Sequence, residues 1–175
     1  MFRKTDFALK GFLSSKGTSR SIILKMLILS GRIERAIDQA CRRRLNLSLT
    51  EARILAAIGE CGSMSANDAC ALTDINKTRM SRSVHRLERA GLLTLHVDPE
   101  DRRRIQLVLT TTGEVQSERS VLLALVIEEK MLAMLPPDDR APFNRALALF
   151  DRRAAHFETR GLERTLRIRA EAQML

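Results

Sequence analysis

The segment NKTRMSRSVHRLERAG, residues 76–91, runs directly into LLTLHVDPEDRRRIQLVLTTTG, residues 92–113. In the first segment, apolar residues recur at helical spacing from Met80 to Leu87 and a glycine ends the pattern, which predicts a helix with one buried face. In the second, apolar and polar residues alternate on both sides of the turn-forming residues 98–103, which predicts a β-hairpin. The sequence therefore predicts a basic helix followed by a hairpin that carries three consecutive arginines.

Three helices are predicted before this segment. Apolar residues recur at helical spacing over residues 20–45, and a capping box formed by Ser48 and Glu51 opens the second helix, which stops at residues 59–62. A short third helix is predicted over residues 66–72. Together with the basic helix and the hairpin, these elements follow the order of a winged helix-turn-helix.

After the hairpin the chain is predicted to be helical again, over residues 115–135 and from about residue 138. In the last helix, apolar residues keep the alternating four- and three-residue spacing of a coiled-coil seam: Phe143, Leu147, Phe150, Ala154 and Phe157. Apolar stripes at both ends of the chain favour packing of the two ends together and against a second copy. The alternative is that these stripes cover the core of the central module itself.

The predicted fold class is mainly α with a small β-hairpin wing. Its length of 175 residues favours one module with helical extensions over two full domains. The predicted organisation has four parts: an N-terminal arm at residues 1–19, a first dimerisation helix at 20–45, a winged helix-turn-helix DNA-binding module at 46–112, and C-terminal dimerisation helices at 113–175.

The chain is strongly basic, with 30 basic and 21 acidic residues and a formal net charge of +9 at pH 7. Such an excess favours a polyanionic partner, either nucleic acid or an anionic membrane. The basic residues cluster on the helix-turn-helix and hairpin rather than along one amphipathic helix, which favours double-stranded DNA over a membrane surface. No apolar run approaches the roughly 20 residues of a membrane span, and the N-terminus lacks a signal-peptide pattern, so a cytoplasmic protein is expected.

The cysteines and histidines do not form a pattern typical of catalysis. Cys41, Cys61 and Cys70 are odd in number and contain no C-x-x-C pair, which argues against a disulfide framework and a structural zinc site. The three histidines lack the spacing of a metal site or a catalytic triad, and no glycine-rich phosphate loop occurs. We therefore expect no enzymatic activity, no cofactor and no metal.

The N-terminal end of the basic helix is the candidate for reading DNA. In a helix-turn-helix this end of the second helix contacts base edges in the major groove, where arginine can read guanine and serine or threonine can bind phosphate or base. The candidate DNA-binding residues on the helix are Lys77, Thr78, Arg79, Ser81, Arg82 and Arg86. Without a wing, a merely solvated basic face would be an equal alternative.

The hairpin adds a second candidate contact. Arg102, Arg103 and Arg104 lie where a narrow loop can enter the minor groove beside the helix, and there the electrostatic potential is most negative. Asp98 and Asp101 are predicted to orient Arg103, because a nearby carboxylate holds a guanidinium in one position and lowers the entropy lost on binding. The alternative is a charged loop that contacts only solvent.

Residues 45–113 resemble the MarR family of bacterial winged helix-turn-helix transcriptional regulators. The residues that carry the resemblance are Leu45, Leu47 and Ser48, then Asn76, Lys77, Ser81 and Arg82, then Leu87-Glu88-Arg89 with Gly91-Leu92, the wing residues 98–103, and Leu109, Thr110 and Gly113. The wing together with Leu-Thr-x-x-Gly is the specific part of this match, since a helix-turn-helix alone is widespread.

The resemblance implies a homodimer in which terminal helices of both chains interlock and two modules read the halves of a pseudo-palindromic operator. Such proteins mostly act as repressors that a small ligand, often an aromatic acid, or cysteine oxidation releases from DNA. By position, Arg103 would enter the minor groove with Asp101 as its partner, and Ser65 and Ser81 would contact phosphates. The predicted function is therefore a ligand-responsive, sequence-specific DNA-binding repressor.

Two positions depart from the family pattern. Leu95 stands where the family commonly has an arginine that braces the wing acid, so His96, Arg102 or Arg104 are the candidate substitutes. Ala52 stands where the family often has an aromatic residue beside the effector pocket, which leaves room either for a larger ligand such as an aromatic acid conjugate or for a neighbouring side chain. The predicted effector-pocket residues are Arg20, Met26 and Ala52.

Two alternatives to ligand sensing remain open from the sequence. One is a thiol-oxidation sensor, for which Cys41 is a candidate because the three arginines that follow it are positioned to lower the pKa of its thiol. The region where the redox-sensing members of the family carry their reactive cysteine, residues 20–27, contains none. The other alternative is an architectural DNA-binding protein that responds to no ligand.

Overall fold

The computed structural model describes residues 21–97 and 104–160. The chain divides into two compact units, Met1–Val126 and Ile127–Leu175, and the described residues of each are treated separately. The predicted N-terminal arm and Arg20 lie outside the described residues, and so do the wing-tip residues 98–103.

Helix α1 spans Ile22–Leu45, close to the predicted bounds. Its N-terminus is capped by Ser21, whose Oγ accepts a hydrogen bond from the amide of Leu24 at 3.3 Å. Asn46 ends the helix in the left-handed region with φ 57°, and its amide donates to the carbonyl of Arg42. The chain then turns directly into the next helix.

Helices α2, α3 and α4 span Leu49–Cys61, Ala66–Thr73 and Lys77–Arg89. The predicted capping box at the start of α2 is present: the Ser48 Oγ accepts from the Glu51 amide, and the Glu51 carboxylate accepts from the Ser48 amide at 2.7 Å. In α4, the Asn76 side chain accepts from the Arg79 amide at 2.9 Å. The local capping signals thus define the start of both helices.

The sheet has three strands, whereas the sequence predicted a two-stranded hairpin. Strands β2 (Leu93–Val97) and β3 (Ile105–Leu109) form that hairpin, and β1 (Ser63–Ser65) pairs antiparallel with β3 to give the order β1-β3-β2. A segment of three residues is too short to show alternation, and its partner strand begins 40 residues later. Strand β1 was therefore not predicted from the sequence.

The core of the first unit lies around α2. Ile54, Leu55 and Ile58 are fully buried there, and they are joined by residues of α4 and of the sheet that are at most 1% exposed: Met80, Leu87, Leu93 and Leu107. Met80, Val84 and Leu87 are all buried, which confirms the predicted inward face of α4. The opposite face of α4 is thereby directed to solvent.

Helix α5 spans Thr111–Leu132 and begins at a tight junction with the end of β3. The Oγ1 of Thr110 donates to the carbonyl of Gly91 at 2.7 Å and accepts from the amide of Gly113 at 3.0 Å. A Cβ atom on Gly113 would lie 1.8 Å from the carbonyl oxygen of Leu92. The Leu-Thr-x-x-Gly motif therefore joins the hairpin, the end of α4 and the start of α5 by backbone contacts that require glycine.

The corner between α1 and α2 is held by Asp38. Its Oδ1 accepts from the amide of Leu49 at 2.9 Å, and its Oδ2 lies 2.6 Å from the Nε of Arg42. The hydrogen bond from the Leu49 amide lowers the pKa of the Asp38 carboxyl, and the Arg42 guanidinium lowers it further. The ionised carboxylate thus ties the last turns of α1 to the first residue of α2.

In the second unit, helix α6 spans Pro137–Arg160 and begins with Asp138 and Asp139 in its first turn. Phe143, Leu147 and Phe150 of the predicted seam are exposed by 43%, 41% and 42%. Within that unit the stripe is therefore left partly open to solvent.

The change Gly113→Ala should destabilise the fold by at least about 2 kcal/mol, because the new methyl group overlaps the Leu92 carbonyl and forces the backbone apart. Urea unfolding monitored by circular dichroism measures this loss. Thr112→Ala, at the exposed neighbouring position, is the control and should leave the free energy of unfolding nearly unchanged. Equal stability of the two variants would contradict the close approach.

The change Asp38→Asn should lower the free energy of unfolding at pH 7, and the difference from the unchanged protein should shrink as the pH falls below about 4. A lowered folded-state pKa means that the carboxylate stabilises the fold fully above its unfolded pKa of about 4 and loses this contribution as the pH falls through the folded value. Denaturant titrations of both proteins between pH 7 and pH 3 measure the difference. Glu34→Gln, an exposed change on the same helix, is the control, and a pH-independent loss in Asp38→Asn would contradict the assignment.

Candidate nucleic-acid interface

The exposed surface of α4 carries the candidate DNA contacts. Five basic residues and one acidic residue occupy this helix of 13 residues, and the basic ones all face solvent: Lys77, Arg79, Arg82, Arg86 and Arg89. Thr78 and Ser81 are exposed as well. The apolar residues face inward at helical spacing, so the hydrophobic core itself presents this basic face to the outside.

The candidate residues differ in how far they are already engaged. Lys77, Thr78, Ser81 and Arg82 form no side-chain hydrogen bond or ion pair with the part of the chain that the structure describes. By contrast, the Arg79 Nη2 donates to the Thr50 Oγ1 at 3.2 Å. Four of the six candidate DNA-binding residues on α4 therefore have side chains that are free to contact DNA.

Arg86 is bound to a buried acid of the neighbouring helix. Its Nε lies 3.0 Å from the Oε1 of Glu51, whose side chain is only 4% exposed, while 58% of the Arg86 side chain is exposed. The sequence suggested Arg86 as a DNA contact and Glu51 as part of a capping box, and it did not connect the two. Their separation of 35 positions leaves no local signal, since only the packing of α4 on α2 brings them together.

Ser65 occupies a structural position. It is 7% exposed, its Oγ accepts from the Asp68 amide at 3.2 Å, and the same hydroxyl donates to the Asp68 carboxylate at 2.6 Å. The hydroxyl is thus engaged in capping α3. Its predicted contact with a DNA phosphate stays a prediction, and such a contact would require the hydroxyl to leave this cap.

The described base of the wing is apolar on one side. Leu95, at the position that departs from the family pattern, pairs with Leu107 across the hairpin and packs against the core. His96 lies with its Nε2 2.9 Å from the Thr94 Oγ1, and Arg104 is exposed. The predicted contacts Arg102 and Arg103, and their predicted orienting residues Asp98 and Asp101, lie outside the described residues.

The environment of Cys41 is the opposite of the one expected from the sequence. Cys41 is 3% exposed, and this burial raises the pKa of its thiol, with the Asp38 carboxylate raising it further. The expectation that the following arginines lower this pKa was wrong, because Arg42, Arg43 and Arg44 are directed to solvent. Cys61 is exposed and Cys70 is partly buried.

An open cavity of about 1130 Å³ lies in the first unit between α2, α3, β3 and α5. Its apolar lining includes Leu72, Leu109, Val121 and Leu122, and its charged lining consists of Arg53, Glu60, Glu114 and Glu118. The Arg53 guanidinium donates to the carbonyl of Thr73. Of the predicted effector residues, neither Met26 nor Ala52 lines this cavity, and Ala52 is buried in the core, so the predicted pocket stays a prediction.

Within residues 21–97 and 104–160, every helix is too short or too polar to span a membrane. No group of three or more His, Cys, Asp or Glu side chains in these ranges is arranged to hold a metal ion.

The model of the MarR family matches residues 45–104, which are 60 of the 175 residues. The match covers α2, β1, α3, the basic helix α4 and β2, and it ends one residue before β3. No curated protein sequence matches the chain.

Solved structures resemble the chain over most of its length. A MarR/EmrR family transcriptional regulator from Acinetobacter sp. ADP1 matches with a TM-score of 0.71 at 18% identity, covering 79% of this chain and 98% of that one. MepR from S. aureus, solved as a DNA complex, matches with a TM-score of 0.67 at 19% identity, covering 74% and 95%.

A third structure concerns the regulation of DNA binding of Bordetella bronchiseptica BpsR by 6-hydroxynicotinic acid. It matches with a TM-score of 0.66 at 24% identity, covering 75% of this chain and 99% of that one. Residues 45–104 are therefore similar to the MarR family, and the described chain has the fold of the MarR/EmrR family transcriptional regulators.

Proposed function

We propose that the chain is a homodimeric, sequence-specific DNA-binding repressor that a small ligand releases from a pseudo-palindromic operator. The observation that carries this proposal is the free, basic N-terminal end of α4 on a MarR-family module. A cytoplasmic location follows from the proposed partner, chromosomal DNA. The proposal includes no catalytic activity.

The charge and geometry of α4 support DNA binding. Lys77, Thr78, Ser81 and Arg82 lie within the first two turns of the helix, and each is exposed. A recognition helix contacts base edges with its N-terminal residues, and arginine makes the commonest specific contact, to guanine. The S. aureus relative solved with DNA supports the same use of the fold.

Exposed apolar residues support the homodimer. In the first half of α1, Ile22, Ile23, Leu27 and Leu29 are each more than half exposed. The α6 stripe is also uncovered within its own unit. Large exposed apolar side chains grouped on one helical segment are typical of a protein interface, because a second copy removes them from water.

The proposed ligand is a small aromatic acid or its conjugate. Support comes from the Bordetella bronchiseptica relative, whose DNA binding is regulated by an aromatic acid. The sequence places the pocket at Arg20, Met26 and Ala52, and the cavity beside α2 and α5 is a second candidate location. Because Glu60, Glu114 and Glu118 line that cavity, an anionic ligand would bind there only if its carboxylate pairs with Arg53.

The change Arg82→Ala should weaken operator binding by roughly 1 to 3 kcal/mol and relax the base preference at one position of each half-site. Selection from a random DNA pool, followed by binding measurements at matched salt, gives both quantities. Arg89→Ala is the matched control, since it removes the same charge at the C-terminal end of α4. A uniform loss over all sequences in Arg82→Ala would identify a phosphate contact instead.

An aromatic acid should release the protein from its operator more effectively than the uncharged amide of the same ring. Fluorescence polarisation of labelled operator measures release, with aromatic acids, their conjugates and the amides as the panel. Arg53→Gln tests the cavity, Arg20→Gln tests the pocket predicted from the sequence, and Arg119→Gln on α5, which does not line the cavity, is the control. Equal release by acid and amide would contradict the ligand class.

A further inference from the structure

The recognition helix is held along one flank by two guanidinium groups. Arg79 and Arg86 are seven residues apart, so they lie two turns from each other on the same side of α4. Arg79 donates to Thr50 and Arg86 pairs with Glu51, which are consecutive residues in the first turn of α2. The flank therefore rests on one short segment of the neighbouring helix.

Glu51 is a rigid anchor for this contact. It is 3% exposed, and one carboxylate oxygen accepts from the amide and the hydroxyl of Ser48 at 2.7 and 2.8 Å. The other oxygen receives the Arg86 Nε at 3.0 Å. Because both oxygens are engaged and the side chain is buried, the carboxylate has a fixed position against which Arg86 is set.

The same turn of α2 is tied to α1. The Asp38 carboxylate of α1 accepts from the amide of Leu49, the first residue of α2 and two positions before Glu51. A continuous set of polar contacts thus runs from α1 through the first turn of α2 to α4. These contacts connect the basic helix α4 to α1, the helix whose first half carries exposed apolar side chains.

We infer that Glu51 is a positioning residue for DNA recognition: it sets the orientation of α4, and Arg86 contributes to specific binding through Glu51 instead of through a contact with DNA. The inference rests on the proposed DNA-binding function. This role differs from the prediction that Arg86 contacts DNA. The two roles predict opposite changes in operator affinity when the charge of Glu51 is removed.

The test is the change Glu51→Gln in the full-length protein. A glutamine keeps the shape and one acceptor for Ser48, but it removes the negative charge and the ion pair. If Glu51 positions α4, operator binding should weaken by about tenfold, the effect of losing a charged hydrogen bond. If Arg86 contacts DNA, the freed guanidinium and the more positive protein should bind the operator equally well or more tightly, which would overturn the inference.

Binding to random DNA provides the second readout. Arg86→Gln should weaken operator binding by a similar factor and leave binding to random DNA nearly unchanged, because a misoriented helix loses base contacts before phosphate contacts. A phosphate contact would instead lower both affinities by the same factor and reduce the salt dependence by about one unit. In this variant the Glu51 carboxylate keeps its two hydrogen bonds from Ser48, so Arg86→Gln remains a valid test if Glu51→Gln fails to fold.

A double-mutant cycle completes the experiment. Glu51→Gln combined with Arg86→Gln should bind the operator no more weakly than either single variant, since both remove one interaction. Glu51→Gln combined with Arg104→Gln, at a predicted wing contact outside α4, is the control pair and should show additive losses. If the wild-type protein prefers no sequence over random DNA, the proposed function and this inference both fail, whereas normal selection with an unchanged Glu51→Gln variant overturns the inference alone.

Discussion

Burial of helix α2 is the constraint on which the rest of the first unit depends. Three of its residues, Ile54, Leu55 and Ile58, have no exposed surface, and α1, α4 and the sheet contribute the side chains that cover them. A helix enclosed in this way must satisfy its polar groups locally, and the capping box of Ser48 and Glu51 does so at its start. On the side of α5, the Ser117 hydroxyl donates to the carbonyl of Leu55. The position of the basic helix α4 follows from its packing on this buried element.

Local patterns in the sequence were sufficient for most of the architecture. The capping residues Ser48 and Asn76 and the inward residues Met80, Val84 and Leu87 each act within one or two helical turns, so the helices were predicted close to their observed bounds. The strand Ser63–Ser65 was missed because its only evidence is its pairing with a strand 40 residues later. The family match of residues 45–104 confirmed the resemblance.

The sequence predicted which residues make up the candidate site, but it did not predict which of them contact each other. Sequence spacing identifies which residues of α4 are exposed, and that part agrees with the structure. It cannot show that Arg86 meets Glu51, that Ser65 is engaged in a cap, or that Cys41 is buried beside Asp38, because each contact depends on how two helices pack or on which face is covered. Of the positive charges of α4, those of Arg79 and Arg86 are held by α2, whereas those of Lys77 and Arg82 are left for a ligand.

Ser65 belongs to two elements at once, as the last residue of β1 and the N-cap of α3. Its backbone lies opposite Gln106 of the hairpin, and its hydroxyl fixes the first turn of the helix. With no linker between the two elements, an inserted residue at this point would sacrifice either the strand register or the cap. Related chains should therefore carry no insertion or deletion at this position. The number of residues between β1 and α3 should stay constant among them.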